Sequence, residues 1–218
     1  MKSYYEPAPT SGFCPGQIVW MPCLYPEKDP MIIDIDVSSD PSEERLPATL
    51  SPIKQKQFKV PIKSLNLASD ESLFAVRGKR RPAVVLAQGF TRWPTLSSEQ
   101  LLICTPIFSV DKKAIRQEFV ISVQAFHYTS KFYLPPDVRY GFQEGVARLE
   151  VTQVAHQRAV EPYPDAKTPM MLSQEFLGMF RIQLTAYLGG VLDEDDSEIL
   201  RLYGEDILNE ARKQGVKV

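Results

Sequence analysis

The sequence has few residues of the kinds that hold metals or cross-link chains. Its 218 residues include three cysteines, Cys14, Cys23 and Cys104, and two histidines, and no C-x-x-C pair accompanies them. Structural zinc sites use Cys and His at short spacings, and disulfide frameworks use even sets of cysteines. The composition argues against both kinds of site, and we expect no metal and no cofactor.

Long apolar runs are also missing. No stretch approaches the roughly 18 apolar residues of a membrane-spanning helix, and the opening MKSYYEPAPTSG lacks the apolar core of a signal peptide. We therefore expect a soluble globular protein of the cytoplasm. Neither sign of charge dominates, with 25 basic and 27 acidic residues. This balance argues against a protein coated in nucleic acid but leaves room for a local basic patch.

The first three quarters of the chain contain strand patterns. Three continuous apolar runs of strand length, GQIVWM (16–21), PAVVLA (82–87) and QLLICTPIF (100–108), predict buried strands. The alternating run QEFVISVQAF (117–126) predicts a strand with one exposed face. Residues 140–157 contain one or two further short strands.

The composition changes between residues 25 and 76, where prolines and acidic residues are frequent. Two alternating runs in this segment, MIIDIDV and QFKVPIKSL, predict half-exposed strands. We interpret the segment as a β-rich insertion into a single domain of residues 1–218. The core of that domain would lie in residues 13–22 and 77–160.

The last quarter, residues 170–214, has helical periodicity. Ser173 can cap a helix whose apolar residues recur every three or four positions up to Gly189-Gly190. A second amphipathic helix follows Asp196 or Ser197. Strands followed by two C-terminal helices predict an α+β fold, with a small, strongly bent antiparallel sheet or barrel covered by helices.

Taken together, these segments resemble a known family. The strand GQIVW, the strand RPAVVL after a basic loop, the strand end TPIFS and the stretch RYGFQEGVARLE occur in the order seen in the PemK/MazF family of bacterial toxins. The resemblance covers residues 13–22 and 77 to about 190. It implies an SH3-like antiparallel barrel, a homodimer, and sequence-specific, metal-independent cleavage of single-stranded RNA until an antitoxin protein blocks the site.

The resemblance assigns the central catalytic role to Arg81. Cleavage by the RNA's own 2′-hydroxyl builds negative charge on a five-coordinate phosphorus, and an arginine can donate two hydrogen bonds to one phosphate while staying protonated. Pro82 biases Arg81 toward extended backbone and so holds it just before the strand. The neighbouring Arg77, Lys79 and Arg80 can contact adjacent phosphates, or they can simply form a solvated loop.

At the second catalytic position of the family, this chain departs from the pattern. The family ends the strand with proline, one residue, and then a threonine or serine, whereas here Pro106 and Ile107 are followed by Phe108. Ser109 can serve if the strand end is bulged by one residue, and Thr105 is the other nearby hydroxyl. Losing one donor to such a transition state costs about 2.7 to 4 kcal/mol, which predicts a weakened or inactive nuclease if neither residue reaches the site.

Other residues bear on the substrate and on the class of function. Trp93 and Phe108 can stack bases, at about 1 to 3 kcal/mol each, although Trp93 can equally fill the barrel interior. The acidic stretch 191–210, or the acidic part of the insertion, can lie across the basic groove in place of RNA or of an antitoxin. Alternatively, the stretch 191–210 faces solvent as an ordinary helix. A second class of function stays open, which is a non-catalytic barrel of the same family that binds nucleic acid or a protein partner.

Overall fold

The computed structural model describes residues 3–25, 31–35, 48–52, 74–89, 101–110, 115–163 and 168–216. The described residues form an α+β structure with antiparallel sheets, which confirms the predicted class. The chain divides into two compact units, one of residues 1–23 and 80–218 and the other of residues 24–79. Trp93 and the run QFKVPIKSL lie outside the described residues.

The strands in chain order are β1 (Tyr5–Pro7), β2 (Ile18–Leu24), β3 (Met31–Ile35), β4 (Ala48–Pro52), β5 (Phe74–Ala75), β6 (Gly78–Gln88), β7 (Leu101–Ser109), β8 (Lys131–Leu134), β9 (Gly145–Arg148), β10 (Gln153–His156), β11 (Glu161–Pro162) and β12 (Met170–Leu172). The α-helices are α1 (Gln117–Gln124), α2 (Gln174–Tyr187) and α3 (Glu194–Lys213). The predicted strands in GQIVWM, PAVVLA and QLLICTPIF correspond to β2, β6 and β7, and MIIDIDV contains β3.

In the unit of residues 24–79, β3 pairs antiparallel with both β4 and β5. The main sheet lies in the other unit and has the strand order β11-β2-β6-β7-β9-β8. Along the described strands this order is an open path, with no pairing that closes it into a barrel. The small pair β1–β12 joins residues 5–7 to residues 170–172, just before α2.

The main sheet is organised around β7, which pairs along both edges. On one edge β6 pairs with β7 from Leu102 to Pro106, and the register shifts between Val85 and Ala87 of β6. On the other edge, β10 pairs with the first half of β7 and β9 with the second half. The register shift in β6 is a β-bulge, which increases the local bend of the sheet.

The two faces of the sheet pack against different helices. Because side chains alternate along a strand, Ile107 lies on one face, where it is buried in a cluster that includes Phe176 and Phe180 of α2. We call this side the α2 face. Phe108 and Val146 lie on the other side, where Val146 is buried with Val123 of α1; we call it the α1 face. Burying each such apolar side chain contributes about 1.5 to 3 kcal/mol.

The prediction of a strand over residues 117–126 is wrong, because this segment forms α1. Its run of β-branched and aromatic residues fits a strand, but Ile121 and Val123 are both buried on the helix. In this position Val123 packs with Val110 and Val146 on the sheet. Packing of this kind routinely overrides the modest helix propensity of β-branched residues.

The two predicted C-terminal helices are confirmed as α2 and α3. Ser173 occupies the cap position of α2, although its side chain makes no capping hydrogen bond. α3 begins earlier than predicted because the Asp193 side chain accepts a hydrogen bond from the Asp196 N–H at 2.7 Å, which caps the first turn. In the described ranges, no helix has the length and apolar content needed to span a membrane.

The crossing of α1 and α3 depends on Gly204. A Cβ at this buried position would lie 2.8 Å from the carbonyl oxygen of Ala125. This contact is too short, and a backbone carbonyl cannot relieve it by changing rotamer as a side chain can. We expect Gly204→Ala to lower the free energy of unfolding by about 1 to 3 kcal/mol, measured by urea denaturation.

Gly178 of α2 is the matched control, because nothing lies within 4 Å of the Cβ that alanine would add there. Gly178→Ala should raise stability by about 0.5 to 1 kcal/mol through helix propensity alone. Equal stability of the two variants would show that α1 and α3 do not approach as closely as described.

Candidate functional site

Three side chains from neighbouring strands meet on the α1 face. Ala83 pairs with Pro106 in antiparallel register. Arg81 lies two residues before Ala83 and Phe108 two residues after Pro106, so both side chains lie on the same face. The guanidinium carbon of Arg81 lies 4.3 Å from the centroid of the Phe108 ring. Arg148 approaches the same ring from β9, at 4.8 Å. Each cation–π contact of this kind contributes about 0.5 to 2 kcal/mol, depending on its exposure.

Lys131 and Glu150 extend this group. Lys131 pairs with Arg148 across β8 and β9. One oxygen of Glu150, Oε1, accepts a hydrogen bond from Nε of Arg148 at 2.9 Å and lies 3.4 Å from Nζ of Lys131. We call Arg81, Phe108, Arg148, Lys131 and Glu150 the basic cluster. With three cations and one carboxylate, it carries net positive charge at neutral pH.

Glu150 acts in the cluster as a fixed anion. Its partial burial alone would raise the pKa of its carboxyl group, but a backbone hydrogen bond, the hydrogen bond from Arg148 and the charge of Lys131 together hold that pKa below its usual range. The second oxygen, Oε2, is buried away from solvent. Glu150 is therefore ionised at neutral pH and holds Arg148 and Lys131 in place.

The two predicted catalytic hydroxyls lie on the other side of the sheet. Thr105 is fully buried, and its Oγ1 is 2.7 Å from Oγ1 of Thr152. The pairing of Ile107 through Ser109 with β9 continues without a register shift, so the strand end has no bulge to turn Ser109 toward Arg81. Alternation therefore places Thr105 and Ser109 on the α2 face, away from Arg81 and Phe108.

Arg80, another of the predicted phosphate contacts, lies outside the basic cluster. Arg80 points to the opposite side of β6 from Arg81 and forms an exposed ion pair with Glu161 at 2.6 Å. Arg77 and Lys79 are exposed and belong to the unit of residues 24–79. Of the predicted site residues, the structure thus brings together Arg81 and Phe108.

Sequence reasoning missed Arg148, Lys131 and Glu150. Arg148 and Glu150 lie within the stretch RYGFQEGVARLE that carried the resemblance, and their two-residue spacing in a predicted strand was the available signal. Lys131 gave no local signal, because it reaches the site only through the pairing of β8 with β9.

Comparisons with models of protein families, with curated proteins and with solved structures find no match for this chain. Across the part of the chain that the structure describes, no three His, Cys, Asp or Glu side chains come together as they would to hold a metal ion. The inference of function therefore depends on the geometry of the basic cluster.

The contact between Thr105 and Thr152 leads to a stability prediction. Thr105→Val removes the hydrogen-bond partner of the half-buried Thr152 hydroxyl, so we expect the free energy of unfolding to fall by about 0.5 to 1.5 kcal/mol. Thr152→Val and the double variant complete a double-mutant cycle by urea denaturation. Strictly additive effects would contradict the hydrogen bond at this position.

Glu150 leads to a pH prediction. A carboxyl group whose folded-state pKa is lowered adds stability above its unfolded pKa, and this contribution disappears as pH falls through the folded pKa. The stability difference between the native chain and Glu150→Gln should therefore be greatest near neutral pH and shrink in acid, measured by denaturation at a series of pH values. The exposed Glu118→Gln is the control, with an expected effect within about 0.5 kcal/mol. A pH-independent Glu150→Gln difference would contradict the ionic role.

Proposed function

We propose that the protein binds single-stranded RNA at the basic cluster and cleaves it slowly, without a metal ion, as an endoribonuclease of the PemK/MazF type. One observation carries this proposal: the Arg81 guanidinium is held against Phe108 beside the Arg148 guanidinium, on one face of the central strand. Arginine stays protonated and matches the geometry of phosphate. Such a pair of cations suits a polyanionic strand.

In the proposed reaction, the 2′-oxygen of the RNA attacks the adjacent phosphorus and the bond from phosphorus to the 5′-oxygen breaks. The 2′-hydroxyl proton passes to water, and the departing 5′-oxygen takes a proton from water. The products are a 2′,3′-cyclic phosphate and a 5′-hydroxyl. Arg81 contributes by donating hydrogen bonds to the equatorial oxygens, where negative charge increases in the transition state.

The same geometry accounts for the proposed slow rate. Phe108 occupies the position where the family pattern has a hydroxyl, and Thr105 and Ser109 face the other side of the sheet. Glu150 is a weak general base, because its pKa is lowered rather than raised toward neutrality. The missing donor alone corresponds to a rate about a hundred- to a thousandfold below that of an enzyme that has it.

We also propose that the bent antiparallel sheet is an SH3-like barrel. The segments GQIVW, RPAVVL and TPIFS, which carried the resemblance, lie in β2, β6 and the end of β7, and these strands are neighbours in one sheet. The bulge in β6 supplies bending of the kind that barrels need. A homodimer, an antitoxin protein as partner, sequence-specific cleavage and a cytoplasmic location are implied by the same resemblance and belong to the proposal.

A second function is favoured by a specific observation. On the α1 face, the basic cluster presents cations and an aromatic ring, while both predicted hydroxyls lie on the α2 face. This composition suits a barrel that binds nucleic acid, or an acidic protein partner, without cleaving it. In that case Arg81 would contribute to affinity and there would be no cleavage to lose.

The test is cleavage of a long single-stranded RNA by the purified protein in EDTA, followed by mapping of the cut sites. We expect site-specific cuts with the native chain and their loss with Arg81→Ala. The cleavage rate should fall by about a hundredfold or more, which is the effect of removing one hydrogen-bond donor to a transition state.

The adjacent residue supplies the matched control. Arg80→Ala removes the same charge from the opposite side of β6, where it pairs with Glu161, so cleavage should persist. A folded native chain that makes no cuts would leave the binding function as the better account. Cuts that survive Arg81→Ala would mean that the reaction occurs elsewhere or comes from a contaminant.

A further inference from the structure

The cations of the basic cluster form a row that crosses the strands of the main sheet. Arg81 lies on β6, Arg148 on β9 and Lys131 on β8, and Phe108 lies between the first two on β7. Neighbouring strands are about 4.8 Å apart, so the row spans about 14 Å from β6 to β8. This length is greater than a single phosphate group can contact.

Within the row, the two arginines serve different positions. Arg81 and Arg148 approach the Phe108 ring from strands on opposite edges of β7, at 4.3 and 4.8 Å from its centroid. Both guanidinium groups therefore contact the same ring, each from its own strand. Their strands are two places apart in the sheet, about 10 Å, so each arginine has room to contact its own phosphate.

Lys131 continues the row beyond Arg148. Its Nζ lies 3.4 Å from Oε1 of Glu150 and 3.2 Å from Oγ of Ser130, and it stands 5.4 Å from the centroid of the Tyr128 ring. These contacts hold a flexible side chain in one position before any ligand arrives. Less side-chain entropy is then lost when a phosphate binds.

We infer that a bound RNA strand runs across the sheet from β6 to β8, with Arg81, Arg148 and Lys131 contacting successive phosphates. Lys131 is then a binding residue outside the reacting phosphate. This inference rests on the proposed binding of RNA, but it does not require cleavage. It is therefore tested by a measurement in which no RNA is cut.

The experiment uses a short oligouridylate that is 2′-O-methylated at every residue and so has no attacking hydroxyl. Its affinity is measured by fluorescence anisotropy at several salt concentrations. Each phosphate contact to a single strand contributes about −0.7 to the slope of log K against log salt concentration, so the native chain should give a slope of about −2.

We expect Lys131→Ala to weaken binding and to make the slope smaller by about 0.7, because one phosphate contact is lost. Lys131→Arg keeps the charge and should keep the slope. Lys213→Ala is the control, since this lysine lies on α3, where it pairs with Glu210, and its removal should leave the slope unchanged. Circular dichroism establishes that each variant is folded.

Two results would overturn the inference. One is a Lys131→Ala slope equal to that of the native chain, which would mean that Lys131 contacts no phosphate. The other is an absence of oligonucleotide binding at low salt, which would also remove the proposed RNA function. In contrast, the expected slopes together with no cleavage of natural RNA would support the row of phosphate contacts and would reject only the proposed cleavage activity.

Discussion

The pairing of β7 along both of its edges is the constraint on which the rest of the unit of residues 1–23 and 80–218 depends. A strand held on two sides cannot rotate, so each of its side chains is committed to one face of the sheet. Ile107 faces the core formed with α2, and Phe108 faces the arginines from β6 and β9. The hydrophobic core and the basic cluster are thus two results of a single register.

That register also separates the chemistry of the two faces. Thr105 satisfies its hydroxyl within the protein by bonding to Thr152, as buried polar groups generally do. On the other face, Glu150 balances part of the charge that Arg148 and Lys131 bring close together. A cluster of cations without such an anion would be opposed by like-charge repulsion, so Glu150 reconciles the positive charge of the site with the stability of the sheet.

Much of this structure could be predicted from local sequence. The apolar runs in β2, β6 and β7 match their strands, because short continuous apolar segments bounded by turn residues are typical of buried strands. The apolar residues of segment 117–126 fit both the strand and the helix period, and its packing against Val146 favours the helix. In the site, Arg81 and Phe108 could be predicted from nearby motifs. Lys131 and Arg148 required the long-range pairing of β8, β9 and β7, which no local pattern contains.

The contact of the Phe108 ring with two guanidinium groups has a consequence for base recognition in the proposed RNA complex. A ring face that an arginine covers is not open to a nucleobase, so the cation–π contacts of Phe108 compete with the base stacking predicted for it. Contacts made to phosphates alone carry no information about the order of the bases. In the proposed complex, a preference for particular nucleotides would come from side chains other than those that contact phosphate, so affinity and base preference can change independently of each other.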